Sequence, residues 1–333
     1  MGSRLAAGLV VLALSGCAAP REPVPGPPPA DRLFAGHEIF GLTLEFDQAS
    51  VFKERSGEST YHPARLEYLD TAGQRVRLEI EVRTRGHYRR KRENCRFPPL
   101  RLNFARKQAK GTVFAGQDKL KLVTHCQGRY EQYVLQEHLV YRLYNLMTER
   151  SFRVRLVEVT YVDSGGRNPL RRYAFFIEDV KTLAERNGFV PFKEPEVPYE
   201  ALDAEELSRL EVFQYMVGNT DWSVLRGSAG DDCCHNSKPI RASDGQVVAV
   251  PYDFDLAGAV NAPYASPNPD LGIRSVRQRL WRGFCRPDGA HLDAAIAAYQ
   301  ARRDDIYALY RAETRLEPRR LSLTLAWFDR FYD

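Results

Sequence analysis

Apolar and polar positions alternate along most of the first half of the chain. Val76 to Val82 (VRLEIEV) and Ala64 to Leu69 alternate clearly, and Thr71-Ala72-Gly73 between them predicts a hairpin. The same period marks Gly41 to Phe46, Leu100 to Phe104 and Lys119 to Val123 (KLKLV) as strands, with Gly111 and Gly116 punctuating the loop before the last. Arg153 to Val162 and Tyr173 to Ile177 return to strand, joined by the turn Asp163-Ser164-Gly165-Gly166. Between Tyr130 and Met147 the period lengthens: Leu135, Leu139, Leu143 and Leu146 share one face of an amphipathic helix.

After Asp179 the pattern changes. Pro191, Pro195 and Pro198 mark a connection, and Asp203 to Val217 reads as a helix with Leu207, Leu210, Phe213 and Val217 inward. Asp203 is its cap, with Glu206 in the capping-box position. A polar loop runs from Gly218 to Asn236, and Val247 to Val250 is a short apolar strand leading into Pro251-Tyr252-Asp253-Phe254-Asp255. Leu292, Ile296, Tyr299, Ile306 and Leu309 predict a long C-terminal helix, broken once. Sheet first and helix second predicts an α+β chain in two lobes, about 32–180 and about 181–333.

The first residues read differently. Leu5 to Leu14 is an apolar run of ten residues after Arg4, too short to span a bilayer, which takes roughly 20. It fits the core of a secretory signal over residues 1–16. The ending Leu14-Ser15-Gly16-Cys17 resembles a bacterial lipobox, with Cys17 lipidated as the first mature residue; cleavage nearby without lipid is the alternative. Ala18 after the cysteine favours, by resemblance to lipoprotein sorting, the periplasmic face of the outer membrane. Residues 17–31 form a tether, with six prolines among the thirteen residues 19–31. The membrane partner is thus reached through acylated Cys17, and the folded part covers 32–333.

Composition excludes a disordered chain, a collagen-like repeat and a polytopic membrane protein: 44% of the residues are hydrophobic and 27% charged. The net charge of +5 does not by itself imply nucleic acid, and an exported lipoprotein is not expected to bind it. Export permits disulfides. Of the five cysteines after Cys17, Cys95–Cys126, and Cys285 with one of Cys233 and Cys234, are the preferred pairs. There is no G-x-S-x-G, H-E-x-x-H or P-loop motif.

Three segments carry the candidate chemistry: Asn219-Thr220-Asp221-Trp222, His235-Asn236 and Tyr252-Asp253-Phe254-Asp255. Each falls at the end of an expected element, where loops present functional groups. Carboxylates with an amide can hold Mg²⁺, a hard cation that takes oxygen ligands, and leave one carboxylate to orient a nucleophile. The bland alternative makes Asp221 a turn residue and Asp253 a strand end. Arg83, Arg85, Arg89, Arg90, Lys91 and Arg92 put six cations in ten residues, which suits phosphate, an anionic envelope surface or plain solvation.

In order along the chain, Arg83-Thr84-Arg85-Gly86, Lys119-Leu120-Lys121-Leu122, Tyr173 to Asp179 (YAFFIED), Gly218 to Trp222 (GNTDW), His235-Asn236 and Pro251 to Asp255 (PYDFD) resemble the CotH kinase family, spore-coat kinases that are atypical members of the kinase superfamily. The match spans roughly residues 75 to 260. The resemblance implies a two-lobed protein-kinase-like fold, with an antiparallel N-lobe and a helical C-lobe, that binds ATP with Mg²⁺ or Mn²⁺ and transfers phosphate to a protein. It implies Asp221 as the catalytic residue and Asn236, Asp253 and Asp255 at the metal. It implies Lys121 on the α and β phosphates with Glu137 as its helix partner, Arg85 beside the nucleotide and Glu178 in the hinge that meets adenine. The chain departs from the kinase pattern in lacking a GxGxxG loop before the lysine strand, in the gap of 15 from Asp221 to Asn236, and in Asp255 where a glycine would stand. A non-catalytic envelope-binding scaffold and a metal-dependent envelope hydrolase remain the alternatives.

Overall fold

The computed structural model describes residues 1–2, 29–227, 233–286 and 289–333; Cys17, the signal and most of the tether lie outside them. Seven strands follow one another: β1 (Phe40–Phe46), β2 (His62–Leu69), β3 (Arg75–Thr84), β4 (Leu100–Phe104), β5 (Lys119–Val123), β6 (Val154–Asp163) and β7 (Leu170–Ile177). Short helices α1 (Gln48–Lys53) and α2 (Arg106–Ala109) sit in their connections, and α3 (Glu131–Asn145) separates β5 from β6. The strands close into a barrel in the order β1-β2-β3-β4-β5-β7-β6. Every pairing is antiparallel except the closing one, where Phe40 of β1 runs parallel beside Val157 of β6.

The alternation explains the barrel's filling. Leu42, Leu44, Leu66, Leu78, Ile80, Leu102, Leu120 and Leu122 point inward with Phe104, Phe114 and Phe176 as one apolar cluster. The intervening residues of β2, β3 and β4 are half-buried or exposed. On the outer side of β6 and β7 the apolar stripe of α3 packs down.

The rest of the chain builds α4 (Val180–Arg186), β8 (Val190–Pro191), α5 (Ala204–Val217), β9 (Ser237–Arg241), β10 (Val247–Pro251), α6 (Ala290–Ala301), α7 (Arg303–Ala312) and α8 (Pro318–Tyr332). β8, β9 and β10 form a second, three-stranded sheet. Asp203 caps α5 as expected, accepting from the Glu206 N–H at 2.9 Å. Glu206 does not return the bond; its carboxylate takes Arg150 at 2.7 Å and also pairs with Arg209. The C-terminal helix is broken once, at Arg302, between α6 and α7.

This architecture corrects the expected fold. A closed seven-stranded mixed barrel with, among the described residues, eight α-helices is not a two-lobed kinase-like fold with a helical C-lobe. The second half also contains a sheet of its own. One apolar cluster joins Leu135, Leu139 and Leu143 of α3 to Phe213 of α5, Val250 of β10, Tyr310 of α7 and Trp327 of α8, so the outer side of the barrel and the C-terminal helices share a core. Alternation reveals which face of a strand is buried; it does not reveal which edges meet, and closure rests on a parallel pairing between strands remote in sequence.

Cys95 bonds Cys126, as expected. The expected pairing of Cys285 with one of the vicinal cysteines is also corrected: Cys233 and Cys234 bond to each other, and Cys285 is an exposed free thiol. No helix among the described residues is long and apolar enough to cross a membrane.

Candidate functional site

A cleft of about 780 Å³ opens between the barrel and the loops that follow α5 and β10. It brings together Arg83, Arg85, Arg89, Arg101 and Lys121 from the barrel side and Asp221, Asn236, Asp253 and Asp255 from the loops.

The loop geometry follows from local chemistry. α5 ends at Gly218, whose φ of +66° turns the chain sharply. A Cβ there would lie 2.5 Å from the Trp327 ring, so glycine is required twice over. The next residue, Asn219, accepts the Asp221 N–H on its side-chain oxygen at 3.0 Å and so orients the carboxylate's backbone. Arg282 reaches across from the C-terminal part and donates to the carbonyls of Thr220 and Trp222. Asn236 then donates from Nδ2 to the Asp221 carbonyl at 2.7 Å and to Asp221 Oδ2 at 2.8 Å, while His235 Nε2 lies 2.8 Å from Oδ1. Both oxygens of Asp221 are therefore held, and the hydrogen bond with Asp221 raises the pKa of His235 against the opposing effect of burial. Asn236 and Asp253 both adopt positive φ, at 47° and 61°. Asn and Asp tolerate that region better than other side chains, and such outliers cluster at functional sites.

Arg89 is the electrostatic hub. Its guanidinium is 3.0 and 3.3 Å from the two carboxylate oxygens of Glu137, 3.2 Å from Asp253 Oδ1 and 3.2 Å from Asp255 Oδ2. Burial works against its charge, but Asp255, Glu137 and Asp253 outweigh that and keep its pKa well above the ordinary value. Burial likewise pushes the carboxyls of Glu137 and Asp255 upward, against the pull of Arg89. Lys121 has a different setting. Its Nζ sits 4.5 Å from the centroid of Tyr252 and 5.9 Å from that of Phe152. Burial foremost, then Arg85, lowers its pKa to about 7; Asp179 and Asp253 pull the other way, and Arg101 adds to the lowering.

Of the residues singled out from sequence, Asp221, Asn236, Asp253, Asp255, Lys121 and Arg85 line this one cleft. Glu137 lies behind it, on Arg89 rather than on Lys121. Glu178 does not reach the cleft: fully buried, it binds Arg153 at 2.7 Å and Arg186 at 3.0 Å. Cys17 lies outside the described residues. Sequence reasoning missed the part played by Arg89, which looked like one cation of a loop run, because its partners stand 48 and 164 positions away. It also missed Arg101 and Arg282, which carry no local motif.

No group of three or more His, Cys, Asp or Glu side chains among the described residues is placed to hold a metal by itself. The carboxylate of Asp255 is taken by Arg89. Asn236 keeps its side-chain oxygen as an acceptor because its bonds to Asp221 use Nδ2, and Asp253 meets Arg89 through Oδ1. That donor set fits Mg²⁺ in its usual manner, with one carboxylate and one amide oxygen, the rest coming from phosphate and water.

A smaller depression of about 310 Å³ on the barrel exterior is lined by Glu67, Arg75, Glu158 and Arg171. Its charges are paired with one another, Arg75 with Glu67 and Arg171 with Glu158.

No protein-family model matches the chain, and no curated protein matches it.

Proposed function

We propose that the cleft binds a nucleoside triphosphate, ATP in the first instance, together with Mg²⁺ or Mn²⁺, and transfers its terminal phosphoryl group to a hydroxyl of a protein or other envelope acceptor. The observation that carries this reading is convergence: Lys121, Asp221, Asn236 and Asp253, from four separated segments, line one cleft. The setting we propose is the periplasmic face of the outer membrane, with the chain held by lipid on Cys17.

Each residue has a task that its surroundings favour. Asp221, fixed on both oxygens, orients the acceptor hydroxyl and takes its proton. The acceptor oxygen forms the new bond to phosphorus as the bond to the bridging oxygen breaks. The departing phosphates stay on the basic wall at Arg85 and Lys121. Asp253 and Asn236 would hold the divalent cation, which neutralises charge on the phosphate oxygens. Arg89 sets the position of Asp253 through their 3.2 Å contact. That contact also favours a second reading, a site that retains phosphate without transferring it, because Arg89 already compensates the carboxylates a metal would use.

Melting of the full chain with ATP and Mg²⁺, beside Asp253→Asn, tests the reading. Asparagine keeps the positive-φ backbone and removes the charge. A ligand at 100 times its dissociation constant stabilises by about 2.7 kcal/mol, a shift of a few degrees for a chain of this size. The shift is expected to be largest with the metal, and its metal-dependent part is expected to need Asp253. Transfer of labelled terminal phosphate then separates the two readings.

A further inference from the structure

The outer face of the barrel is charged in rungs that run across the strands. Glu45, Arg65 and Glu79 stand directly opposite one another on β1, β2 and β3, and Arg65 binds Glu45 at 3.0 Å and Glu79 at 3.1 Å. Glu67 faces Arg77 and binds it at 2.6 Å. Glu81 faces Asn103 and accepts from it at 2.6 Å. These rungs are complementary, as cross-strand pairs usually are.

The rung that faces the cleft breaks the rule. Arg83 of β3 stands opposite Arg101 of β4, and Arg101 opposite Lys121 of β5. Three cations lie abreast, spanning about 10 Å at the usual strand spacing. Like charges directly opposite destabilise a sheet. Among the described residues no carboxylate forms an ion pair with any of the three. Arg83 gives Nη1 to the Ser59 carbonyl and lies over the Tyr61 ring, and Lys121 lies over Tyr252. The Nε atoms of Arg83 and of Arg101 are buried without a hydrogen-bond partner. Buried donors are normally satisfied, and two orphaned donors within a row of cations that forms no ion pair among the described residues point to a missing acceptor. Arg85 stands next to the row, donating to the Tyr252 hydroxyl at 2.6 Å.

We infer that the Arg83–Arg101–Lys121 rung is a binding site for a linear polyphosphate group, a diphosphate or triphosphate, that it holds directly and without a divalent cation. The inference rests on the phosphate ligand proposed above, but not on its metal or on transfer. One phosphate group brings a charge of about −2 at neutral pH, too little to balance three cations, whereas a chain of two or three phosphates matches both the charge and the length of the row. Planar guanidinium forks on neighbouring strands suit successive phosphates. Burial foremost, then Arg85, lowers the pKa of Lys121, and Arg101 on its rung adds to the lowering; a bound anion would oppose it.

Calorimetric titration of the full chain in EDTA tests this, with inorganic tripolyphosphate, pyrophosphate, orthophosphate and ATP as probes. Tripolyphosphate and pyrophosphate are expected to bind and orthophosphate to bind at least tenfold more weakly. Arg101→Gln and Lys121→Met are each expected to weaken tripolyphosphate about tenfold, while Arg65→Gln, in a complementary rung, leaves it unchanged. Unliganded Arg101→Gln is expected to melt no lower than the wild type, since it relieves repulsion, so lost binding is not lost folding. ATP binding as tightly as tripolyphosphate assigns the site to the phosphate chain alone; tighter ATP adds the nucleoside to it. Absence of tripolyphosphate binding in EDTA, or equal binding by wild type and Arg101→Gln, overturns the inference. If that failure accompanies ATP binding that needs Mg²⁺ and Asp253, the broader reading survives it; binding in EDTA with no metal effect has the opposite meaning.

Discussion

Arg89 closes on both carboxylate oxygens of Glu137, at 3.0 and 3.3 Å, and both side chains are buried. The helix glutamate is therefore committed to an arginine from the loop after β3, and the strand lysine Lys121 is left facing the cleft. Arg89→Met would strand Glu137 and Asp255 without their counter-charge. Removing one partner of a buried pair typically costs 3 to 5 kcal/mol, so a loss of about that size is expected in urea unfolding. Lys121→Met is expected to cost far less or to stabilise, because Lys121 is half-buried without an ion pair among the described residues and its rung neighbours are Arg101 and the apolar Ile177.

Lys121 also sets a pH dependence. Its folded-state pKa is about 7, below the ordinary 10.5, so between these values the unfolded chain binds the extra proton. Stability from this group therefore rises as pH increases from about 7 to about 10.5, and the penalty is fully present below 7. Unfolding free energies at pH 7 and pH 9 are expected to rise more steeply in the wild type than in Lys121→Met.

Two buried histidines act in acid. His125 and His138 are lowered from 6.5 to about 3, foremost by burial, and each has an Nδ1 without a hydrogen-bond partner. They are neutral in the fold and charge on unfolding, so stability falls as pH drops from about 6.5 towards 3. His125→Gln or His138→Gln is expected to flatten the melting-temperature profile over that range.

The regular elements were legible in the sequence where a residue pattern reports burial directly. Leu100–Phe104 and Lys119–Val123 match the expected strands end to end, and the capped helix starting after Asp203 is found where the cap and the apolar stripe put it. The barrel was not legible, because closure between β1 and β6 depends on edges, which alternation does not mark. α8 was missed although Trp327 anchors it, since the expected C-terminal helix ended before it. The candidate site was legible as residue types at element ends: Asp221, Asn236 and Asp253 do meet. Its electrostatics were not, because Arg89 and Arg101 acquire their meaning only from partners brought in by the sheet and by the far end of the chain.

Gly218 links fold and site. Gly218→Ala would force a Cβ to within 2.5 Å of the Trp327 ring at a φ of +66°. The strained backbone alone costs about 1 kcal/mol and the clash adds to it, so a loss of 2 kcal/mol or more is expected by chemical denaturation.

The Cys95–Cys126 bond joins residues 31 positions apart, and the segment it closes carries β4 and β5 and begins six residues after Arg89. The double variant Cys95→Ser, Cys126→Ser is expected to lose about 3 kcal/mol, and reductant is expected to have no further effect on its melting through this bond.

The most direct test of the central claim is the melting temperature of the full chain with ATP, with and without Mg²⁺, in the wild type and in Asp253→Asn. A rise of a few degrees that is largest with the metal, and whose metal-dependent part vanishes in Asp253→Asn, is the expected result. No rise at millimolar nucleotide, with or without metal, would contradict the assignment of this cleft to a phosphorylated ligand.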